Sequence, residues 1–96
     1  MEETLYIINL YDYYGDLLTD KQKEYFEDYY HNNLTLSEIA ENNGISRNAI
    51  HKQIKDTTLK LKNYESKLHL LEKRKKIEKI ISTLDTNIQD KIKEII

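Results

Sequence analysis

The chain has 96 residues, of which 39% are hydrophobic and 33% charged, with two Gly, no Pro and no Cys. This length predicts one domain, 1–96, because a chain of this size buries only roughly 60–65% of its unfolded surface. The scarcity of Gly and Pro leaves little material for tight hairpins and favours an all-α fold. The lack of Cys excludes a disulfide framework and a thiolate metal site.

The net charge of −2 conceals an uneven distribution along the chain. Residues 1–45 carry ten acids and two lysines (−8), residues 46–79 carry eleven bases and four acids (+7), and residues 80–96 add −1. A helix that faces DNA phosphates is expected to be basic, while an acidic opposite surface helps to orient the approach. The alternative is a basic helix face that is simply solvated.

The N-terminal sequence does not resemble a targeting signal. It lacks the basic region that begins a signal peptide, and no apolar run approaches the length of a membrane-spanning helix. We therefore expect a cytoplasmic protein that does not contact a membrane.

Two helices are predicted in the first third of the chain. The first spans 4–14 and ends at Gly15, and a capping box formed by Thr19 and Gln22 begins the second, over 20–31. His31 is expected to interact with the helix dipole rather than to bind a metal, and no cofactor is predicted. Aromatic residues at helical spacing favour core packing over base stacking. The apolar positions are Leu5, Ile7, Ile8, Leu10, Tyr11, Tyr14, Tyr25, Phe26, Tyr29 and Tyr30.

The stretch from Thr35 to Lys55 is typical of a helix-turn-helix. Thr35 and Glu38 form a second capping box, which begins a short helix. Small Ala40 allows close helix crossing, and Gly44 suits the left-handed conformation that ends this helix. The inward-facing residues are expected to be Leu36, Ile39, Ala40, Ile45, Ile50 and Ile54. We place the helix-turn-helix core at 17–62.

The second helix of this motif carries the candidate DNA-binding residues. Ser46 is its predicted N-cap, so Arg47 and Asn48 lie in the first turn, where they can pair with guanine and adenine edges. His51 and Lys52 can reach a base or a phosphate, and Lys55 a phosphate. Thr35 and Ser46 can offer hydroxyl or amide donors to the DNA backbone. The alternative for each single residue is ordinary helix surface.

Beyond this motif the apolar pattern predicts a helical extension over 63–96. A seam at intervals of three and four residues predicts that the second helix continues without a break through Ile50, Ile54, Thr57, Leu61, Tyr64, Leu68 and Leu71. Lys73 to Lys76 is interpreted as a solvated face, with phosphate contact as the alternative. A further apolar stripe consists of Ile77, Ile81, Leu84, Ile88, Ile92 and Ile95.

The C-terminal stripe has to be covered by another apolar surface. Packing on the seam within the chain and a homodimer through the C-terminal helices both satisfy this requirement. A capping box of Thr86 and Gln89 is predicted to begin the last helix.

Residues 17–50, LLTDKQKEYFEDYYHNNLTLSEIAENNGISRNAI, resemble region 4 of bacterial sigma factors. Residues 5–72 are also similar to the YlxM-type family of small proteins to which DNA binding is attributed. The resemblance implies a sigma region 4-like helix-turn-helix fold. Because the family's genes commonly neighbour those of the signal recognition particle, it also implies a regulatory role in that pathway. The matching segments are Leu10–Tyr14, Leu17–Thr19, Ser46–Arg47 and Tyr64–His69.

The chain departs from the usual family pattern within the recognition helix, so a DNA target is not transferable. The departures are Asn48 in place of Gln, His51 in place of Tyr, Lys52 in place of Asp and Asp56 in place of Arg.

Two functional hypotheses remain, and neither is an enzyme. The sequence has no Gly-rich phosphate loop, no HExxH motif and no Cys nucleophile. The first hypothesis is a regulator that binds double-stranded DNA, which the basic segment 46–79 favours. The second is an adaptor for RNA polymerase or signal recognition particle components with residual DNA affinity, which the acidic segment 1–45 favours.

Overall fold

The computed structural model describes residues 2–96, which form an all-α fold, as the sequence predicted. Within that part of the chain there is no β-strand, and a short 3-10 turn, Gly15–Leu17, joins the first two helices. The six helices are α1 (Glu2–Tyr14), α2 (Asp20–Tyr30), α3 (Leu36–Asn43), α4 (Arg47–Leu68), α5 (Leu70–Ile81) and α6 (Thr86–Ile95).

Both capping boxes predicted for α2 and α3 are present. The Gln22 N–H donates to Thr19 Oγ1 at 3.2 Å, and the Thr19 N–H donates to Gln22 Oε1 at 3.0 Å. Thr35 and Glu38 exchange the same pair of bonds, each 3.1 Å long. These bonds satisfy N–H groups that a helix start leaves without intrahelical partners, which explains why both helices begin where they do.

The turn between α3 and α4 has the geometry that the sequence predicted. Gly44 lies in the left-handed region at φ 66°, its N–H donates to Glu41 O at 3.3 Å, and the Ile45 N–H donates to Ala40 O at 3.2 Å. This pair of bonds is a Schellman motif. Ala40 is buried, which allows the close crossing of α3 and α4. Ile45 was wrongly predicted to be buried: it lies in the turn and its side chain is 40% exposed.

The central helix α4 packs against α1, α2 and α3 through two apolar clusters. Its N-terminal half buries Ile50 and Ile54 in the first cluster, as predicted, together with Tyr25, Ile39 and Ala40. Its C-terminal half contributes Leu61 to the second cluster, whose other buried members are Ile7, Leu10, Tyr14, Leu18, Phe26 and Leu71.

The buried face of α1 is narrower than the predicted stripe. Ile7, Leu10 and Tyr14 are buried, whereas Leu5 is 61% exposed, because the three buried positions follow the side of α1 that meets α4. The predicted role of tyrosines in packing is confirmed in the core: Tyr11 stacks on Phe26 with ring centroids 4.2 Å apart. The ring of His31, directly after α2, is steeply inclined to both rings, with centroid distances of 5.6 Å to Tyr11 and 5.9 Å to Phe26.

The prediction of one unbroken helix through Leu71 is wrong. The helix α4 ends at Leu68, and His69 adopts a left-handed conformation at φ 55° before α5 begins. Leu68 is therefore exposed, and Leu71 reaches the core from a new helix direction.

The buried carboxylate of Glu65 explains this break. Its Oε1 accepts the Leu71 N–H and its Oε2 accepts the Glu72 N–H, both at 3.1 Å, so that it caps α5 from the preceding helix. The Tyr14 hydroxyl donates to Glu65 Oε1 at 2.6 Å and accepts the Leu70 N–H at 3.1 Å. Three N–H groups at the start of α5 are thus satisfied by side chains of α4 and α1.

The start of α6 differs by one residue from the prediction. Asp85, not Thr86, is the N-cap, and its Oδ1 accepts the Ile88 N–H at 3.2 Å. The Gln89 amide instead donates to Leu84 O at 2.6 Å and Ser82 O at 3.2 Å. The predicted capping box of Thr86 and Gln89 is therefore absent, because Asp85 is an equally good cap placed one residue earlier.

The C-terminal helices form an arm whose apolar stripe is only partly covered within the chain. Ile81 is buried, but Ile88 is 45% and Ile95 85% exposed. The alternative in which this stripe packs on the Leu61 to Leu71 seam of the same chain is therefore wrong, because α5 turns away at His69. The described residues extend over 52 × 25 × 23 Å. None of their helices combines the length and the apolar character needed to cross a membrane.

Candidate nucleic-acid interface

The start of α4 is fixed by the side chain that the sequence predicted. The Ala49 N–H donates to Ser46 Oγ at 3.1 Å, and Ser46 itself has the extended backbone typical of an N-cap. The Ser46 hydroxyl proton is still available to an external acceptor, because Oγ serves as the acceptor in this bond. Arg47 and Asn48 follow directly in the first turn, and both are exposed.

The outer face of α4 is polar where its inner face is apolar. Ile50 and Ile54 are buried, while His51, Lys52 and Lys55 are exposed. Successive helix residues are rotated by about 100°, so the buried and exposed sets lie on different sides of the helix. The helix-turn-helix therefore brings five of the predicted residues onto one surface at the N-terminal half of α4.

Thr35 is more restricted than the sequence predicted. Its N–H donates to Glu38 Oε1 and its Oγ1 accepts the Glu38 N–H, so its amide is not free for DNA. The hydroxyl proton is its remaining donor. The start of α3 lies beside α4, since Leu36 lines a groove together with His51 and Lys55.

Three cations of this surface have no acidic partner among the described residues, a property they share with Lys73, Lys75 and Lys79 on α5. Within residues 2–96, no carboxylate lies within 4 Å of the charged groups of Arg47, Lys52 or Lys55. By contrast, Lys62 pairs with Glu3 at 2.6 Å. Cations without a neighbouring carboxylate contribute a positive potential that attracts an anionic ligand.

The basic run on α5 is partly neutralised by acids of the same helix. Arg74 pairs with Glu78 at 2.8 Å and donates to the Tyr13 hydroxyl at 3.2 Å, and these bonds raise the pKa of the guanidinium. Lys76 pairs with Glu72 at 3.0 Å. Lys73 and Lys75 are exposed. This pattern fits the solvated face that the sequence favoured.

Tyr29 is a residue whose position the sequence did not predict. It was expected to pack with Tyr25 and Phe26, but it is 36% exposed and lines the groove beside His51 and Lys55. Its helical spacing does not distinguish the two outcomes, because Tyr29 lies at the edge of the apolar face of α2.

A short supporting helix, a Schellman turn and an N-capped second helix with an exposed polar face define a helix-turn-helix protein. The whole chain, residues 1–96, matches the UPF0122 family model, described as "Putative helix-turn-helix protein, YlxM / p13 like". The chain belongs to this family, which confirms the YlxM-type resemblance found in its sequence.

Curated relatives support this membership. A UPF0122 protein of Fusobacterium nucleatum is 47% identical over 82% of this chain and 77% of its own length. One from Malacoplasma penetrans is 48% identical over 88% of this chain and 80% of its own length. One from Clostridium kluyveri is 41% identical over the whole chain and 90% of its own length.

Proposed function

We propose that this protein binds double-stranded DNA through α4 and acts in the cytoplasm as a transcriptional regulator without enzymatic activity. The observation that carries the proposal is the exposed polar surface at the capped start of α4, whose cations have no neighbouring carboxylate in the described chain. DNA presents phosphates and base edges that match these donors.

In this proposal the position of each residue on α4 determines whether it contacts base edges or phosphates. Arg47 and Asn48 contact base edges in the major groove, since the first turn of a recognition helix reaches deepest. His51 and Lys52 contact bases or phosphates, and Lys55 a phosphate. The hydroxyls of Ser46 and Thr35 donate to the DNA backbone.

The binding proposal is tested by titration against a library of genomic fragments at several salt concentrations. We expect tight binding to part of the library, and Arg47→Ala should weaken binding to preferred fragments by about 1–3 kcal/mol and to others much less. Lys73→Ala, on the solvated face of α5, is the matched control and should bind as the wild type does. Uniform weak binding that Arg47→Ala leaves unchanged would contradict the proposal.

We further propose that two copies associate through the C-terminal helices. Support comes from the exposed apolar side chains of α6 and from the usefulness of a dimer for reading two half-sites about one DNA turn apart. Light scattering should give a dimer mass, and Ile88→Asp should give a monomer while Asn87→Asp should not. A monomeric wild type at micromolar concentration would overturn this part of the proposal.

The acidic N-terminal segment supports a second candidate function. Residues 1–45 carry a net charge of −8, which suits an adaptor that contacts a basic protein surface better than it suits DNA. RNA polymerase and signal recognition particle components are the candidate partners. The gene neighbourhood of the family supports the signal recognition particle components. Salt-sensitive binding to one of these purified partners, without specific DNA binding, is the outcome that favours this function.

A further inference from the structure

We propose that the groove between α2, α3 and α4 holds a backbone phosphate of the bound DNA, with Tyr29 and Lys55 as its donors. This inference rests on the proposed DNA-binding function and extends the contact surface beyond the helix-turn-helix to α2. The groove is lined by Tyr29, Tyr30, His51, Lys55 and Thr58, together with the apolar side chains of Leu36 and Ile54.

The polar groups of this groove suit an anion. Lys55 offers an ammonium, Tyr29 and Tyr30 each a hydroxyl and His51 a ring N–H, and none of the residues lining the groove is acidic. The Thr58 hydroxyl already donates to Lys55 O at 2.9 Å, so it is not a donor for a ligand. Four other surface clefts of the described chain each include a carboxylate, which disfavours an anion there: they contain Glu78, Glu65, Glu27 and Glu72.

The ring of Tyr29 packs beside that of Tyr30, while its hydroxyl lacks a protein partner among the described residues. The two rings are perpendicular, with centroids 5.0 Å apart and planes at 89°. The hydroxyls of Tyr11 and Tyr14 instead donate to carboxylates at 2.6 Å. A hydroxyl without a protein partner can donate to a ligand without breaking a hydrogen bond within the chain.

The position of the groove fits a phosphate at the wall of the major groove. His51 and Lys55 lie one turn apart on α4, about 6 Å along its axis, and the groove opens on that flank. When the outer face of α4 enters the major groove, its flanks meet the sugar-phosphate backbone. Tyr29 then contacts DNA from α2, outside the segment in which the sequence predicts contacts.

The test compares a neutral donor with a charged one on a mixed-sequence DNA duplex of about two helical turns, since phosphate contacts do not depend on sequence. Tyr29→Phe removes only the hydroxyl and should weaken binding about threefold to tenfold without changing the salt dependence. Lys55→Gln should reduce the log-log salt slope by about 0.9. Tyr6→Phe, in α1 and outside the groove, should bind as the wild type does.

A second measurement uses the wild type and so does not depend on a variant. The ring resonances of Tyr29 should shift when the duplex is added, and should shift much less with inorganic phosphate alone. Unchanged affinity of Tyr29→Phe or unshifted Tyr29 resonances, while the wild type binds DNA, would overturn this inference and leave the proposed function standing. Absence of salt-dependent binding by the wild type would instead overturn both.

Discussion

The two ends of α4 use the same helix-end chemistry with opposite results. At the N-terminal end, Ser46 satisfies one amide, and Arg47 and Asn48 extend into solvent beside it. At the C-terminal end, Glu65 is buried, and its carboxylate accepts three hydrogen bonds from α1 and α5. The difference separates groups that are free to meet a ligand from groups that determine the architecture.

The strongest way to break this comparison is to remove the buried carboxylate. Glu65→Ala leaves the Leu71 and Glu72 amides and the Tyr14 hydroxyl without their acceptor, so we expect a loss of about 3 kcal/mol in unfolding free energy. Urea denaturation measures this loss. The exposed neighbour Lys67→Ala is the control and should change stability by less than about 0.5 kcal/mol. A similarly small change for Glu65→Ala would show that the carboxylate does not stabilise the junction between α4 and α5.

The hydrogen bond between Tyr14 and Glu65, at the junction of α4 and α5, should make stability depend on alkaline pH. Burial, followed by the hydrogen bond to Glu65, raises the pKa of Tyr14 from 10.0 to about 12. Because the folded-state pKa lies above the unfolded value, this stabilisation is complete below pH 10 and is lost as the pH rises toward 12. The stability difference between the wild type and Tyr14→Phe should therefore shrink over that range, by an amount on the order of 2 kcal/mol. A constant difference would contradict the assignment.

Glu65, which accepts the Tyr14 hydroxyl, should make stability depend on acidic pH as well. Burial alone raises the pKa of Glu65, but hydrogen bonds from Tyr14 and from the Leu71 and Glu72 amides outweigh it and hold the pKa below 4.5. The stabilisation is therefore present above pH 4.5 and is lost as the pH falls through the lowered pKa. Measured by urea denaturation, the stability advantage of the wild type over Glu65→Gln should decrease in that acidic range. An advantage that is constant with pH would be inconsistent with an ionised Glu65.

The smallest expected effect on stability concerns Gly44, in the turn that precedes the N-terminal end of α4. Gly44 is left-handed, and a Cβ there would meet no atom within 4 Å, so Gly44→Ala adds only backbone strain. We expect a loss of about 1 kcal/mol, and a smaller loss for Gly44→Asn, since Asn tolerates this conformation better. Thermal unfolding can rank the two variants. Equal stability of Ala and Gly at this position would mean that the turn does not depend on its left-handed residue.

The helix-turn-helix was predictable because its signals are local. Thr35, Gly44 and Ser46 each act within four residues, through caps and a turn that a sequence pattern specifies. The break at His69 was not predictable, because the Glu65 carboxylate that caps α5 is buried with Tyr14, 51 positions away in the chain, and Tyr14 also accepts the Leu70 N–H. The apolar seam continues across that break, so its periodicity gives no sign of a change in direction.

The candidate site also has one part that the sequence predicts and one part that depends on tertiary packing. The exposure of Arg47, Asn48, His51, Lys52 and Lys55 follows from helix periodicity once Ser46 is known as the cap. The place of Tyr29 beside them depends on how α2 packs on α4, which no local pattern in α2 specifies.

The salt dependence of DNA binding tests most directly the claim that the N-terminal half of α4 is the ligand surface. The measurement would compare the wild type with two double variants. One combines Lys52→Gln and Lys55→Gln on α4, and the other combines Lys75→Gln and Lys79→Gln on α5. The account predicts that the α4 pair lowers the log-log slope by about 0.9 if Lys52 contacts a base and by about 1.8 if it contacts a phosphate, and that the α5 pair leaves it unchanged. An unchanged slope for the α4 pair, with a reduced slope for the α5 pair, would contradict it.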